Sequence, residues 1–472
     1  MSRPADADLP FLSIVELARH IASREISSAE VTALMLDRIA ALDPSLNAFI
    51  TVVADAALTR AKSLDALLAS GVRVGPLHGV PIAVKDNIAT AGIRTTGASK
   101  IFADWIPEQD ATVVQRLHDA GAVLLGKLNL YELAFGGVHP DFGETRNPWD
   151  LARACGASSS GPAAAVAAGL AFGSLGTDTG GSIRLPAAAC GLVGLKPTYG
   201  IVSRAGVLAA GYSLDHIGPL TRTVTDCALM LQTLAGHDPR DPAGSQRAAP
   251  NFLDGIEDGI DGVRIGVPRV QPSEAIEPEV QQACAMAIQT LERAGARLID
   301  VTLPDHLLSR NVMWAIAATE LAEAHRDHLR NTPEAYSERV RDSILQGALL
   351  PATEYVHAQR VRQKIALAYA RVMDDVDLLA MPVMPFPAWP VGAAEVSFGG
   401  STENLMAALT RYCPPFNMTG QPAIAIPTGF DAHDLPLSMQ IAGRLHEDRL
   451  VLRAARAHER ATDWHRRRPT FC

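Results

Sequence analysis

Apolar residues recur along this chain with two different spacings, and stretches of one spacing follow stretches of the other. In LSIVELARHIASREI, residues 12–26, they return every three or four positions, which is one face of a helix. A second helix opens at Ser27 with Glu30 three residues on, the capping-box spacing, and is expected to close at Asp43-Pro44. AFITVV at 48–53 reads as a strand and 54–70 as a helix. Next, the VPIAV core of GPLHGVPIAVKDNI reads as a buried strand that exits on Lys85. A helix over 109–120 passes through Gly121 into the strand AVLLG, a helix-to-strand succession that points to parallel sheet.

The same succession returns in VRIGVPR, a helix over 277–294 and ARLIDVTLP. Helical spacing dominates 311–375, PAIAIP and LSMQIAG read as strands, and a helix over 447–461 follows. HDPRDPAGSQ at 237–246 is the best linker candidate, and no internal repeat is visible. One large α/β domain over 1–472 is favoured: a helical segment at about 10–70, a core at about 75–235 and a C-terminal part at about 260–465.

Composition narrows the class. With 48% apolar and 20% charged residues the chain is globular. A net charge of −9 without a basic stripe argues against nucleic acid as a partner. MSRPADADLPF lacks the apolar run of a secretory leader, and PAAAVAAGLAFG is too short and glycine-rich to cross a bilayer, so a cytoplasmic protein without a membrane partner is expected. Six scattered cysteines with no C-x-x-C pair fit reduced thiols rather than a zinc site. Only six lysines stand among 42 basic residues. Where charge alone is needed this chain uses arginine, so each lysine is a candidate for the one thing arginine cannot do, which is to lose its proton.

Two glycine-flanked serine clusters, GASSSG at 156–161 and DTGGS at 178–182, carry the candidate chemistry. Adjacent glycines before Ser182 allow successive N–H groups to point into one concavity, which holds an anion or, beside a nucleophilic hydroxyl, an oxyanion. A phosphate loop and a plain tight turn remain alternatives for this segment. No G-x-S-x-G elbow or S-x-x-K box is present, and His139 and His216, the histidines nearest in sequence, read as ordinary loop residues. Lys85 is the candidate base, because burial behind an apolar strand favours its neutral form. Ser158 would then relay the proton. The competing reading of Lys85 is a structural ion pair, for instance with Asp86.

Taken together, GVPIAVKDNI, AGAVLLGKLNLYELAFG, the run GASSSGPAAAVAAGLAFGSLGTDTGGSIRLPAAACGLVGLKPTYG, SLDHIGPLTRTVTD and FNMTGQPAIAIPTG resemble the amidase signature family over nearly the whole chain. The resemblance implies a mixed central sheet wrapped by helices and a Ser-cisSer-Lys triad. By motif position Ser182 matches the nucleophile, Lys85 the base and Ser158 the serine preceded by a cis peptide. Thr179, Gly180 and Gly181 match the oxyanion N–H groups, and Thr177, Arg184 and Ser159 match supporting residues. Asp178 is expected to brace the loop. Ala134, Phe135 and Gly136 match a loop lining the acyl pocket; Tyr131, Phe135, Met313, Trp314, Tyr355 and Trp389 are candidates for an apolar pocket, with the ordinary core as the competing and commoner reading for such residues. Ala157 departs from the second glycine of the family's pair.

The implied activity is hydrolysis of an amide-type C–N bond, in an aryl or alkyl amide or a carbamate, with no metal or organic cofactor and with a homodimer as an option. The alternatives are the glutaminase A subunit of a tRNA-dependent amidotransferase, in which case RNA becomes a partner, and a non-catalytic anion binder.

Overall fold

A computed structural model describes residues 5, 7–269, 275–303 and 308–472. Part of the N-terminal stretch and Pro304 of the expected strand 296–304 lie outside these residues. Eleven strands form one sheet, in the spatial order Phe49–Val52, Val123–Leu128, Pro81–Lys85, Gly173–Asp178, His216–Thr221, Val193–Lys196, Ala423–Phe430, Pro436–Gly443, Leu378–Pro382, Arg264–Pro268 and Arg297–Val301. Pro81–Lys85 runs parallel to both its neighbours, Arg264–Pro268 runs parallel to both of its own, and the pairings between these two groups are antiparallel. The sheet is therefore mixed, and helices surround it in a single domain.

Because the strands of the C-terminal part pair with this same sheet, 237–246 is no flexible linker. Two of its carboxylates are tied down: Asp238 accepts from Ser203 at 2.6 Å, and Asp241 pairs with Arg204 at 2.7 Å. The helix opened by Ser27 also differs from expectation, spanning Ser28–Leu46 with Pro44 inside it. Pro44 sits in the last turn, where its missing N–H forfeits a single ladder bond. Beyond it the helix ends on Asn47 at φ 55°, whose N–H donates to Asp43 O, while the Asp43 carboxylate takes the N–H groups of Ala48 and Phe49.

Two parallel strands fix the place of the chemistry. All five residues of Pro81–Lys85 are buried, as are all six of Gly173–Asp178, and their register sets Val84 against Leu175. Both carboxyl ends therefore emerge at one edge of the sheet, carrying Lys85 on one strand and Thr177 and Asp178 on the other. Ligands in open α/β sheets gather at such edges.

Candidate active site

The Ala/Gly/Ser-rich segment lets backbone come close to backbone. Gly156 adopts φ +98°, and a Cβ there would stand 2.5 Å from the Pro186 Cα. The turn it makes delivers Ser158 and Ser159 to the start of the helix Ser160–Ala167. Gly176 admits Ser159 against the strand, since a Cβ on it would lie 2.9 Å from Ser159 Oγ. No cis peptide occurs among the described residues, so the expected cis bond before Ser158 is absent.

Lys85 is wholly buried, and its Nζ lies 2.8 Å from Ser158 Oγ, 3.0 Å from Ser159 Oγ and 2.8 Å from Thr177 Oγ1. The ion pair with Asp86 is not formed. Asp86 points to the other side of the strand, where its Oδ2 accepts from the Thr96 N–H and hydroxyl and its Oδ1 lies 3.5 Å from Lys127 Nζ, as the two-residue alternation of strand side chains requires. Among the described residues Lys85 has no ion-pair partner. Burial lowers its pKa from 10.5 to about 7 against the pull of the Asp215 and Asp178 carboxylates.

Ser182 stands on the next loop, partly exposed, before the helix Arg184–Cys190. Asp178 braces that loop by accepting from the N–H groups of Gly181 at 2.7 Å and Ile183 at 3.1 Å. Burial opposes the Asp178 charge, but the Arg184 guanidinium, donating to both carboxylate oxygens, outweighs it and holds the carboxyl well below its usual range. Asn417 donates to Asp178 at 2.8 Å and accepts from Arg184 at 2.6 Å, and Gln440 accepts from Arg184 at 3.0 Å. The C-terminal part thus clamps the loop that carries Ser182. Because the Gly181 N–H is spent on Asp178, the expected oxyanion nest loses that donor. Thr179 and Gly180 line the same cleft as Ser182. Thr179 is itself held by Asp215 at 2.5 Å.

In front of Ser182 opens a cleft of about 440 Å³. Ala134, Phe135 and Gly136 line it, with Ala157, Met313 and Trp314. Tyr131, Tyr355 and Trp389 are engaged elsewhere: Tyr131 donates to Gly156 O at 2.8 Å, Tyr355 bonds Glu320, and Trp389 packs on Phe386. His216 is no loop residue but opens a buried strand, with Nδ1 2.7 Å from Leu214 O. His139 accepts the Asp141 N–H through Nδ1.

A family model described as Amidase matches residues 30–452. The chain belongs to the amidase signature family. Among amidase relatives, the A subunit of the glutamyl-tRNA(Gln) amidotransferase of Moorella thermoacetica is 41% identical over 98% of this chain and 99% of its own length. Among solved structures, one described as a vestigial protein complex revealing the origins of an s-triazine catabolic enzyme is 34% identical, with a TM-score of 0.91 over 95% of this chain and 98% of that one. A bacterial aryl acylamidase is 28% identical, with a TM-score of 0.87 over 97% of each chain.

Asp215, Asn417, Gln440 and Asn87, which donates to Thr177 at 3.2 Å, were not singled out from sequence. Gln440 had a signal, a long polar side chain in the otherwise largely apolar strand PLSMQIAG; Asn87 and Asp215 stand beside other polar residues and had none. No group of three or more metal-ligating side chains occurs among the described residues, and none of the described helices is long and apolar enough to cross a membrane.

Proposed function

We propose that this chain hydrolyses a C–N amide bond through an acyl-enzyme on Ser182. The observation that carries this reading is the wholly buried amine of Lys85 in contact with three hydroxyls. A neutral amine has two N–H donors and one lone pair. Ser159 spends its own hydrogen on Thr177 O at 3.1 Å and can only accept from Lys85, while Thr177 serves as the second acceptor. Ser158 is left to donate to the lone pair, and its oxygen is then free to take a proton from Ser182.

Ser182 Oγ attacks the carbonyl carbon as its proton passes to Ser158 and the Ser158 proton passes to Lys85. The carbonyl oxygen takes the negative charge beside the Thr179 and Gly180 N–H groups, where one such donor is worth about 3 kcal/mol of barrier. As the C–N bond breaks, the relay returns a proton to the departing nitrogen. Water then attacks the acyl carbon as its proton passes through Ser158 to Lys85, and the ester C–O bond breaks as the relay returns a proton to Ser182 Oγ, releasing the acid.

Two substrate readings follow. The Moorella relative supports glutamine as the amide, with this chain in the glutaminase role of a tRNA-dependent amidotransferase, and at 41% identity the sequence relatives carry that reading further. The Phe135, Met313, Trp314 and Met406 walls of the cleft, and a TM-score of 0.91 to the vestigial complex against 0.80 to an amidotransferase A subunit, favour a small-molecule amide or carbamate. Ammonia release from glutamine, with and without amidotransferase partner proteins, set beside a panel of p-nitroanilides, primary amides and carbamates, separates them. A fluorophosphonate should label Ser182; labelling that survives Ser182→Ala refutes the acyl-enzyme.

A further inference from the structure

Acyl transfer at Ser182 does not account for the charge of the cleft in front of it. Among the described lining residues Arg310 and Arg339 are the only charged side chains, and no carboxylate joins them, in a chain whose net charge is −9. Each stands in the first turn of a helix, Arg310 in Ser309–Ala324 and Arg339 in Glu338–Leu349. The first turn is the positive end of the helix dipole, where a cation is repelled and an anion held. The Ser309–Ala324 first turn has no acidic residue to compensate. Among the described residues neither guanidinium pairs with a carboxylate, whereas Arg204, Arg264, Arg411 and Arg456 all do.

Both side chains are placed to reach the cleft. Arg310 lines the cleft, and its Nε donates to Asn311 at 3.1 Å. The Arg339 stem lies across the 134–137 loop, close enough that a Cβ on Gly137 would stand 3.1 Å from its Cδ. A larger residue at Gly137 would push it aside.

We propose that Arg310 and Arg339 bind a carboxylate carried by the substrate, so that the preferred substrate is a net-anionic amide such as the monoamide of a dicarboxylic acid. This rests on the amide-hydrolase reading and narrows it. A guanidinium matches the two oxygens of a carboxylate with parallel N–H donors, a fit that apolar walls do not offer a neutral amide. Glutamine is the poorer member of the class, because its ammonium meets no acid among the described lining residues.

The test reads binding on the Ser182→Ala protein, by thermal shift, with succinamate, its neutral analogue butyramide, and glutamine. Succinamate should bind best of the three. Arg310→Gln and Arg339→Gln should each weaken it by roughly 10- to 100-fold, the loss expected for one hydrogen-bonded charge contact. Arg339→Lys should recover only part of the affinity, since an ammonium keeps the charge but loses the fork. Equal binding of succinamate and butyramide, tighter binding of glutamine, or full succinamate affinity in the double Gln variant overturns the inference. In wild type, charge-selective binding without hydrolysis of any amide refutes the hydrolase reading alone; hydrolysis of amides without charge selectivity refutes this inference alone.

Discussion

Replacing Lys85 by methionine removes an amine that the fold keeps dry, and the consequence is a pH dependence of stability with a definite sign. A pKa moved from 10.5 to about 7 corresponds, at about 1.4 kcal/mol for each tenfold change, to roughly 5 kcal/mol of folded-state penalty on the ammonium form. Between those values the unfolded chain holds the proton and the folded chain does not, so wild-type stability rises with pH across the window. Below it the full cost is carried; above it none is.

From pH 7 to pH 9 the wild type should therefore gain about 2 kcal/mol relative to Lys85→Met. The absolute difference at one pH is less informative, because the variant also strips a partner from Ser158, Ser159 and Thr177. Lys127, lowered by burial to about 8 despite Asp86, and Lys196, lowered by burial and by Arg184, titrate in both proteins and cancel in the comparison. The assay is paired urea unfolding at the two pH values under reversible conditions. A difference between the proteins that stays constant from pH 7 to pH 9 refutes the reasoning.

Lys85→Arg should be as inactive as Lys85→Ala toward any amide the wild type cleaves, since a guanidinium keeps its proton; substantial turnover by the Arg variant removes the base role. Arg184→Met should cost about 3–5 kcal/mol in urea unfolding, because it strands the buried Asp178 carboxylate, and a loss below about 1 kcal/mol would show that the loop does not depend on that pair. Gly156→Ala forces a side chain onto φ +98° with its Cβ 2.5 Å from Pro186 Cα, so the variant should lose stability and fluorophosphonate labelling together. Retention of both would mean that the serine turn can be built another way.

Periodicity located the strands and helices that hold the site. VPIAV could be read as a buried strand because it is a short apolar run bounded by Gly79 and the polar Lys85-Asp86, and Lys85 could be picked out because lysine is scarce here. Spacing along the chain did not carry what depends on contacts across it. Asp86 is adjacent to Lys85, yet strand alternation sends it to Lys127. The Gly-Gly pair suggests a free Gly181 N–H, but Asp178 folds back onto it and accepts its hydrogen. Asn417 lies more than two hundred residues from Asp178, and only the sheet order brings them together. Among aromatics, apolar pattern alone could not tell Trp314, which faces the cleft, from Trp389, which packs in the core.

The charge state of Lys85 can be measured directly. With six lysines in the chain, the side-chain carbons next to the amines can be labelled with carbon-13 and followed by NMR in Ser182→Ala protein, and the signal missing from Lys85→Arg protein identifies residue 85. A titration midpoint near pH 7 is the expected result. A Lys85 signal that stays in its protonated position to above about pH 9 would contradict the account, because the amine would then be a buried cation and no base.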